Sequence, residues 1–494
     1  MFRTRMASFL TVLLLSGLLT ACGGGGSSGA SPTGSSTSAS LVGVQTYPII
    51  ATVSGLNPGT AVTLLDNGGD PLTISANGSV AFHNQLAAGS NYDVSVSAQP
   101  LHQTCTATSG SGTISALSPA VVDIDCVTNQ YFAYLGYNYA ASISPWVLNA
   151  ASGTPTSLPV SLVSTNYSSK TAYLFGAPNG HYLFFDSPNQ GGISAYSINA
   201  ITGVPIPVPG GSVTVQEGLF SPVVTPNSQF VYAEGNPSGN IYGYVINQST
   251  GSLAPIAGSP FHSSATATSI QHQNVSPLAV SSDGAHLYEY SANGEVFGFH
   301  IDSSTGALSG IPGSPFPAQA PSAYTPFSLC ASPTSPYLYA FSNNGAFSNN
   351  GNNAAYVSGY KIDAATGALT SVPGSPFLVN DIPSICAISP GGNFLFSGGT
   401  AYSGVDGFSI NASTGSLTPV SGSPYLSSAF FSANSPGWEN YTSMQFSPSG
   451  DYLYLGPYPI TVFNVNSLTG VLTLVGSPVT PPINGDYGFT IVQP

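Results

Sequence analysis

The stretch "STGALSGIPGSPF" (304–316) recurs with small changes as "STGSLAPIAGSPF" (249–261), "ATGALTSVPGSPF" (365–377) and "STGSLTPVSGSPY" (413–425). Four residues before the glycine of each TG-type pair stands an Asn or Asp. The set is Asn149/Gly153, Asn199/Gly203, Asn247/Gly251, Asp302/Gly306, Asp363/Gly367, Asn411/Gly415 and Asn466/Gly470, with glycine-to-glycine steps of 50, 48, 55, 61, 48 and 55 residues. Asn or Asp opens such a turn by accepting hydrogen bonds from backbone N–H groups just ahead, and glycine closes it by taking positive φ. The flanks "VSGYKID" and "ALTSV" alternate with period two, so the turn joins two antiparallel strands.

Upstream of each hairpin sits another. "VVTPNSQFVYA" (223–233), "AVSSDGAHLYEY" (279–290), "AISPGGNFLFS" (387–397) and "QFSPSGDYLYL" (445–455) each read as strand, turn, strand. One unit is therefore four short antiparallel strands in about fifty residues, the size of a propeller blade. Seven units fill 131–480, which predicts an all-β chain with a seven-bladed β-propeller over 128–494. "YFAYLGY" (131–137) reads as a second strand lacking its first, and "GFTIVQP" (488–494) as a first strand lacking its second. Pairing the two closes the ring and leaves no open edge.

The motifs "SPxGxxLY" and "SGYKIDAATGALTSVPGSPF" resemble the lactonase-like propellers related to 6-phosphogluconolactonase, from about residue 131 to the end. That resemblance implies the fold, and lactone hydrolysis as one activity the scaffold supports. Members often carry a channel-facing histidine five residues before the turn proline. Here those positions hold Tyr173, Ser221, Pro277, Ser328, Ile385, Ser443 and Phe489, so the departure counts against catalysis.

Apolar residues make up 42% of the 494-residue chain and charged residues only 4%, so packed cores are expected and solubility rests on neutral polar groups. The formal charge is −14, with four basic residues, two of which are Arg3 and Arg5. Nucleic acid is excluded as a partner, because phosphate neutralisation needs clustered cations. An anionic membrane surface is disfavoured for the same reason. A phosphorylated sugar lactone would find only Lys170 near the loops, since Lys361 alternates with apolar residues in a third strand.

Residues 1–21 read as a signal peptide, with the basic "MFRTRM" followed by the apolar "ASFLTVLLLSGLL". "LTAC" (19–22) resembles a bacterial lipobox, which makes Cys22 the lipidated first residue of the mature chain; an ordinary secretory signal is the alternative. The Gly/Ser-rich stretch completing 22–42 is a tether, spanning about 20–25 Å root-mean-square. Gly23 follows the cysteine where an aspartate would mark inner-membrane retention, so a bacterial cell-envelope lipoprotein at the outer membrane or cell surface is implied. The membrane is then touched only through the lipid.

Residues 43–127 carry seven short strands between Gly/Asn/Asp turns and predict a small β-sandwich, Ig-like in outline. In an oxidising compartment Cys105 and Cys126 are expected to form a disulfide across its last two strands, with two free thiols as the alternative. "DNGGD" (66–70) reads as a hairpin turn rather than a calcium loop, having two carboxylates and no ligand series. Cys330 and Cys386, three and four residues before Pro333 and Pro390, point to opposite faces of neighbouring first strands, and no bond between them is expected.

The hairpin turns are uniform, whereas the loops at the other end of the units are long and irregular, which is where repeat scaffolds bind. That end carries Glu217, His262, His272, Tyr324, Asp381, Trp438, Glu439, Tyr441 and Asp486, with Lys170. Aromatic faces stack on sugars, and carboxylates bond hydroxyls or coordinate hard cations. Neither His262 nor His272 has a second ligand at zinc spacing, so no metal or other cofactor is expected, short of an ion held by channel acids. The expected role is a monomeric binding platform for a glycan, small molecule or envelope protein. Hydrolysis of an uncharged lactone is the alternative, with His262 or His272 as base.

Overall fold

The computed structural model describes residues 45–100, 103–137, 142–160, 162–164, 173–187, 191–263, 277–317, 319, 325–343, 355–379, 383–399, 404–425, 443–456, 459–481 and 486–494. The leader, Cys22 and the tether lie outside the described residues. Every regular element among them is a strand, with no helix.

Residues 46–128 form two four-stranded sheets around one core that includes Ile49, Val62, Leu64, Phe82, Val122 and Ile124. A short pairing of Ser111–Thr113 with Asn91–Asp93 adds an eighth strand to the seven expected. Its sequence is SGT, which reads as turn and gives no alternation. The strand order also departs from the immunoglobulin arrangement. Thr46–Ser54 pairs with Gly78–Ala87 and, in parallel, with Ala120–Thr128, while Val62–Asp66 lies in the opposite sheet. An immunoglobulin sandwich keeps its first two strands in one sheet. Cys105 and Cys126 face each other in register and form the expected disulfide. "DNGGD" is a hairpin turn, with Asn67 and Gly68 at positive φ.

Beyond this unit, seven antiparallel sheets follow in sequence among the described residues. The second to seventh begin with the first strands Tyr173–Gly176, Gly218–Val224, Leu278–Val280, Thr325–Ala331, Pro383–Ile388 and Ser443–Phe446. The first sheet takes its first strand from the far end of the chain. Asp486–Val492 pairs antiparallel with Tyr131–Tyr137, as the sequence implied. First strands touch one another in cyclic order, and the cycle closes through Asp486–Val492, which contacts the first strands of the second and seventh sheets.

The repeated phrase holds neighbouring sheets together. In all seven hairpin turns the Asn or Asp Oδ1 accepts the N–H groups two and three residues ahead at 2.8–3.1 Å. The glycine N–H then returns to the carbonyl of the same Asn or Asp at 2.7–2.8 Å. All seven glycines sit at φ between 67° and 78°. A Cβ on any of them would lie 2.2–2.6 Å from the ring that opens the second strand of the preceding sheet, for example Tyr337 under Gly415 and Tyr452 under Gly153. Glycine is required twice over, by φ and by this close approach.

Two residues further along the second strand, a buried tyrosine hydroxyl donates to the glycine carbonyl. The pairs are Tyr134–Gly203, Tyr232–Gly306, Tyr288–Gly367, Tyr339–Gly415 and Tyr454–Gly153, at 2.7–2.8 Å. Phe184 and Phe396 take this place in the second and sixth sheets, which keep the ring contact without the bond. The end of the phrase, GSP followed by Phe or Tyr, folds back on its own third strand. Ser259, Ser314, Ser375 and Ser423 accept the N–H of Gly243, Gly298, Gly359 and Gly407 through their hydroxyls at 2.9–3.0 Å.

Cys330 and Cys386 form a second disulfide, contrary to the expectation of two separate thiols. The two cysteines do lie on opposite faces of their strands, but the consequence is the reverse of a separation. Stacked sheets meet front to back, so residues on opposite faces of neighbouring first strands are the ones that meet. Both cysteines lie in the core layer shared by the fifth and sixth sheets, with Cα atoms 6.3 Å apart.

Tyr339→Phe should cost about 1–3 kcal/mol by leaving the buried Gly415 carbonyl without its donor. Gly415→Ala should cost more, since it adds a backbone penalty and a collision with Tyr337. Denaturant unfolding measures both, and equal losses would contradict the assignment of two separate demands to that glycine.

Candidate functional site

Among the described residues, second strands end and third strands begin at one end of each sheet, opposite the uniform hairpin turns. On the third sheet, Glu217 precedes the first strand and is half-buried. Its carboxylate accepts the Ser238 N–H at 3.2 Å, the Ser238 hydroxyl at 2.8 Å and the Tyr242 hydroxyl at 2.6 Å. Ser238 belongs to the tight turn between the second and third strands, closed by the Gly239 N–H on the Gly235 carbonyl at 2.7 Å. Burial first, and then the Glu217 carboxylate, push the Tyr242 hydroxyl up to about 12, so it remains a donor.

His262 reaches the other side of the same turn because the repeated phrase delivers it there. Phe261 exchanges two backbone hydrogen bonds with Ile241, at 2.8 and 2.9 Å, which sets the next residue beside Asn240. Nδ1 of the exposed His262 ring pairs with Asn240 Oδ1 at 3.0 Å. Glu217 and His262 are thus brought to one turn. Asp486 pairs through its backbone with Tyr137. His272, Tyr324, Asp381, Trp438, Glu439, Tyr441 and Lys170 lie outside the described residues. Lys361 is exposed on its third strand, as expected. Among the described residues no three His, Cys, Asp or Glu side chains are grouped to hold a metal ion.

Sequence reasoning looked only at the loops and missed four buried carboxylates. Asp186, Glu234 and Glu289 lie near the ends of second strands, and Asp406 begins a third strand. All four are 4% exposed or less. The available signal was an acid at the end of an apolar run, in "YLFFD", "FVYAE" and "HLYEY", within a chain that has few charges. Ser263 donates its hydroxyl to Glu289. Burial raises the Glu289 carboxyl to about 8, the Glu234 charge on the adjacent sheet adds to the rise, and the Ser263 hydroxyl opposes it. Glu289 therefore holds an exchangeable proton near neutral pH.

The chain matches no protein-family model and no curated protein. Its fold is that of the lactonase-like β-propellers. It resembles the structure of a proposed 6-phosphogluconolactonase from Bacteroides uniformis at 17% identity, over 74% of this chain and 100% of that one, with a TM-score of 0.55. A proposed 6-phosphogluconolactonase from Bacteroides fragilis is similar at 16% identity, with 74% and 98% covered and a TM-score of 0.54. The periplasmic gluconolactonase PpgL of Pseudomonas aeruginosa is similar at 17% identity, with 74% and 99% covered and a TM-score of 0.51. At such identities the likeness establishes the fold.

Glu289 gives a pH test with a definite sign. Its folded pKa lies above the unfolded value, so the folded state keeps a proton that the unfolded chain releases. The contribution of Glu289 to stability should therefore fall as pH rises from about 4.5 to about 8. Glu289→Gln should leave stability near pH 4.5 almost unchanged and raise it by a few kcal/mol above about pH 8, read by denaturant unfolding. Parallel wild-type and variant curves would contradict the assignment.

Proposed function

We propose that this chain is an extracytoplasmic, lipid-anchored, seven-bladed propeller that binds an uncharged, hydroxyl-rich ligand at the loop end of its ring. The ligand class is a glycan or a neutral sugar derivative. The arrangement on the third sheet carries this reading. Glu217, Ser238 and Tyr242 hold one another in place, and Asn240 orients His262, so a partly exposed set of donors and acceptors is fixed before a ligand arrives. Three donors already occupy Glu217, which suits it to orienting hydroxyls better than to removing a proton. The whole chain has four basic residues, which disfavours a phosphorylated ligand.

Two disulfides, the signal-like leader and a periplasmic structural neighbour support export, and the lipobox resemblance supports the anchor. The first two-sheet unit serves in this reading as a spacer between the tether and the ring.

Hydrolysis of an uncharged lactone is the second reading. It is favoured by the proton held on Glu289 and by the lactonases among the structural neighbours. Against it stands the absence of histidine at the seven channel positions.

Calorimetric titration of the mature chain with neutral oligosaccharides and unphosphorylated aldonolactones, run beside base consumption at constant pH, separates the readings. Binding without turnover is expected, weakened roughly tenfold or more by Glu217→Ala. Turnover above the blank would select the hydrolase, and no binding across the panel would overturn the proposal.

A further inference from the structure

Six of the seven rings that pack under a turn glycine of the next sheet are Phe or Tyr; in the fourth sheet the ring is His286. It fills the same space. Its Cδ2 would lie 2.4 Å from a Cβ on Gly367, the turn glycine of the fifth sheet. The side chain is 2% exposed, and Nδ1 is buried with no hydrogen-bond partner among the described residues.

We propose that the seam between the fourth and fifth ring sheets is an acid-sensitive joint, with His286 as the group that loosens it on taking a proton. A neutral imidazole can serve this contact as Phe and Tyr do elsewhere. An imidazolium turns both ring nitrogens into donors, and Nδ1 has no acceptor to meet. The charge would also enter an apolar contact beside the Tyr288 hydroxyl, which donates to the Gly367 carbonyl at 2.7 Å.

The charged and titratable groups around the ring partly oppose one another. On its own sheet, Asp283 lies in the preceding turn, and His300 is the cross-strand partner, with ring centroids 5.7 Å apart. From the fifth sheet, Asp363 opens the turn that Gly367 closes. Burial lowers the affinity of His286 for a proton, His300 lowers it further, and Asp283 and Asp363 raise it, with a net decrease. Both aspartates are committed elsewhere, Asp363 to Thr366 and Ala365, and Asp283 to Ser281 and Ala285. The sign follows. The neutral form favours the closed seam, so closure is complete above the ordinary histidine pKa of about 6.5 and weakens as pH falls through it.

Glu289 lies three residues along the same strand and on its other face, and it titrates with the opposite sign. The effect of His286 is therefore read locally and by difference. Amide hydrogen exchange of the mature chain, corrected for intrinsic rates, would be compared at about pH 7.5 and about pH 5. Peptides covering 281–290 and 360–369 report this seam, and 411–417 reports the next one as a control. Wild-type protection at the His286 seam is expected to drop by up to about thirtyfold, the limit for a group of pKa 6.5 read at pH 5, with little change at the control. His286→Phe and His286→Tyr, which install the residues of the other sheets, should abolish the drop. An equal drop in wild type and variants would overturn the proposal. So would unchanged wild-type protection, even if neither variant folds.

Discussion

The architecture depends on one contact made seven times around the ring, in which a turn glycine of one sheet lies on an aromatic ring of the sheet before it. The turn brings its glycine to positive φ, the missing Cβ lets the backbone reach the ring, and in five sheets the glycine carbonyl receives a buried tyrosine hydroxyl. A buried hydroxyl and a buried carbonyl are each costly alone, so satisfying one with the other fixes spacing and rotation between sheets. The Tyr454–Gly153 bond joins residues 301 positions apart, and with the pairing of the two chain ends it makes the last sheet neighbour to the first.

Much of this architecture is legible in the sequence because the hairpin turns obey local rules. Asn or Asp, glycine and period-two flanks act within a dozen residues, and all seven turns adopt the predicted form. What a residue meets on a neighbouring sheet is not local. The faces of Cys330 and Cys386 could be counted from their prolines, but their pairing depends on how sheets stack. The role of Tyr134, Tyr232 and Tyr339 likewise appears only when the glycine of the next sheet is placed. In the first unit, the SGT strand escaped notice because its residues pair through backbone alone.

The candidate site was legible in part, for the same reason. Glu217 and His262 stand in loops where irregular sequence pointed to function, and they meet at one turn. The carboxylates of Glu234 and Glu289 were hidden inside strand patterns. Their significance comes from burial and from the seam between two sheets. Acids at the hairpin end behave differently: Asp302 and Asp363 are exposed and spend their side chains on the turns they open. One scaffold thus uses carboxylates for turn construction at one end and keeps others within or beside its strands at the loop end.

First strands touch around a closed cycle, so the stability of each sheet is expected to depend on its neighbours. Thermal unfolding of residues 43–494, with and without 486–494, is the test. Loss of this last strand, which pairs with Tyr131–Tyr137, should lower the transition of the whole ring and broaden it. An unchanged main transition, with only a small early loss from the first sheet, would show that the sheets stand on their own and contradict the account.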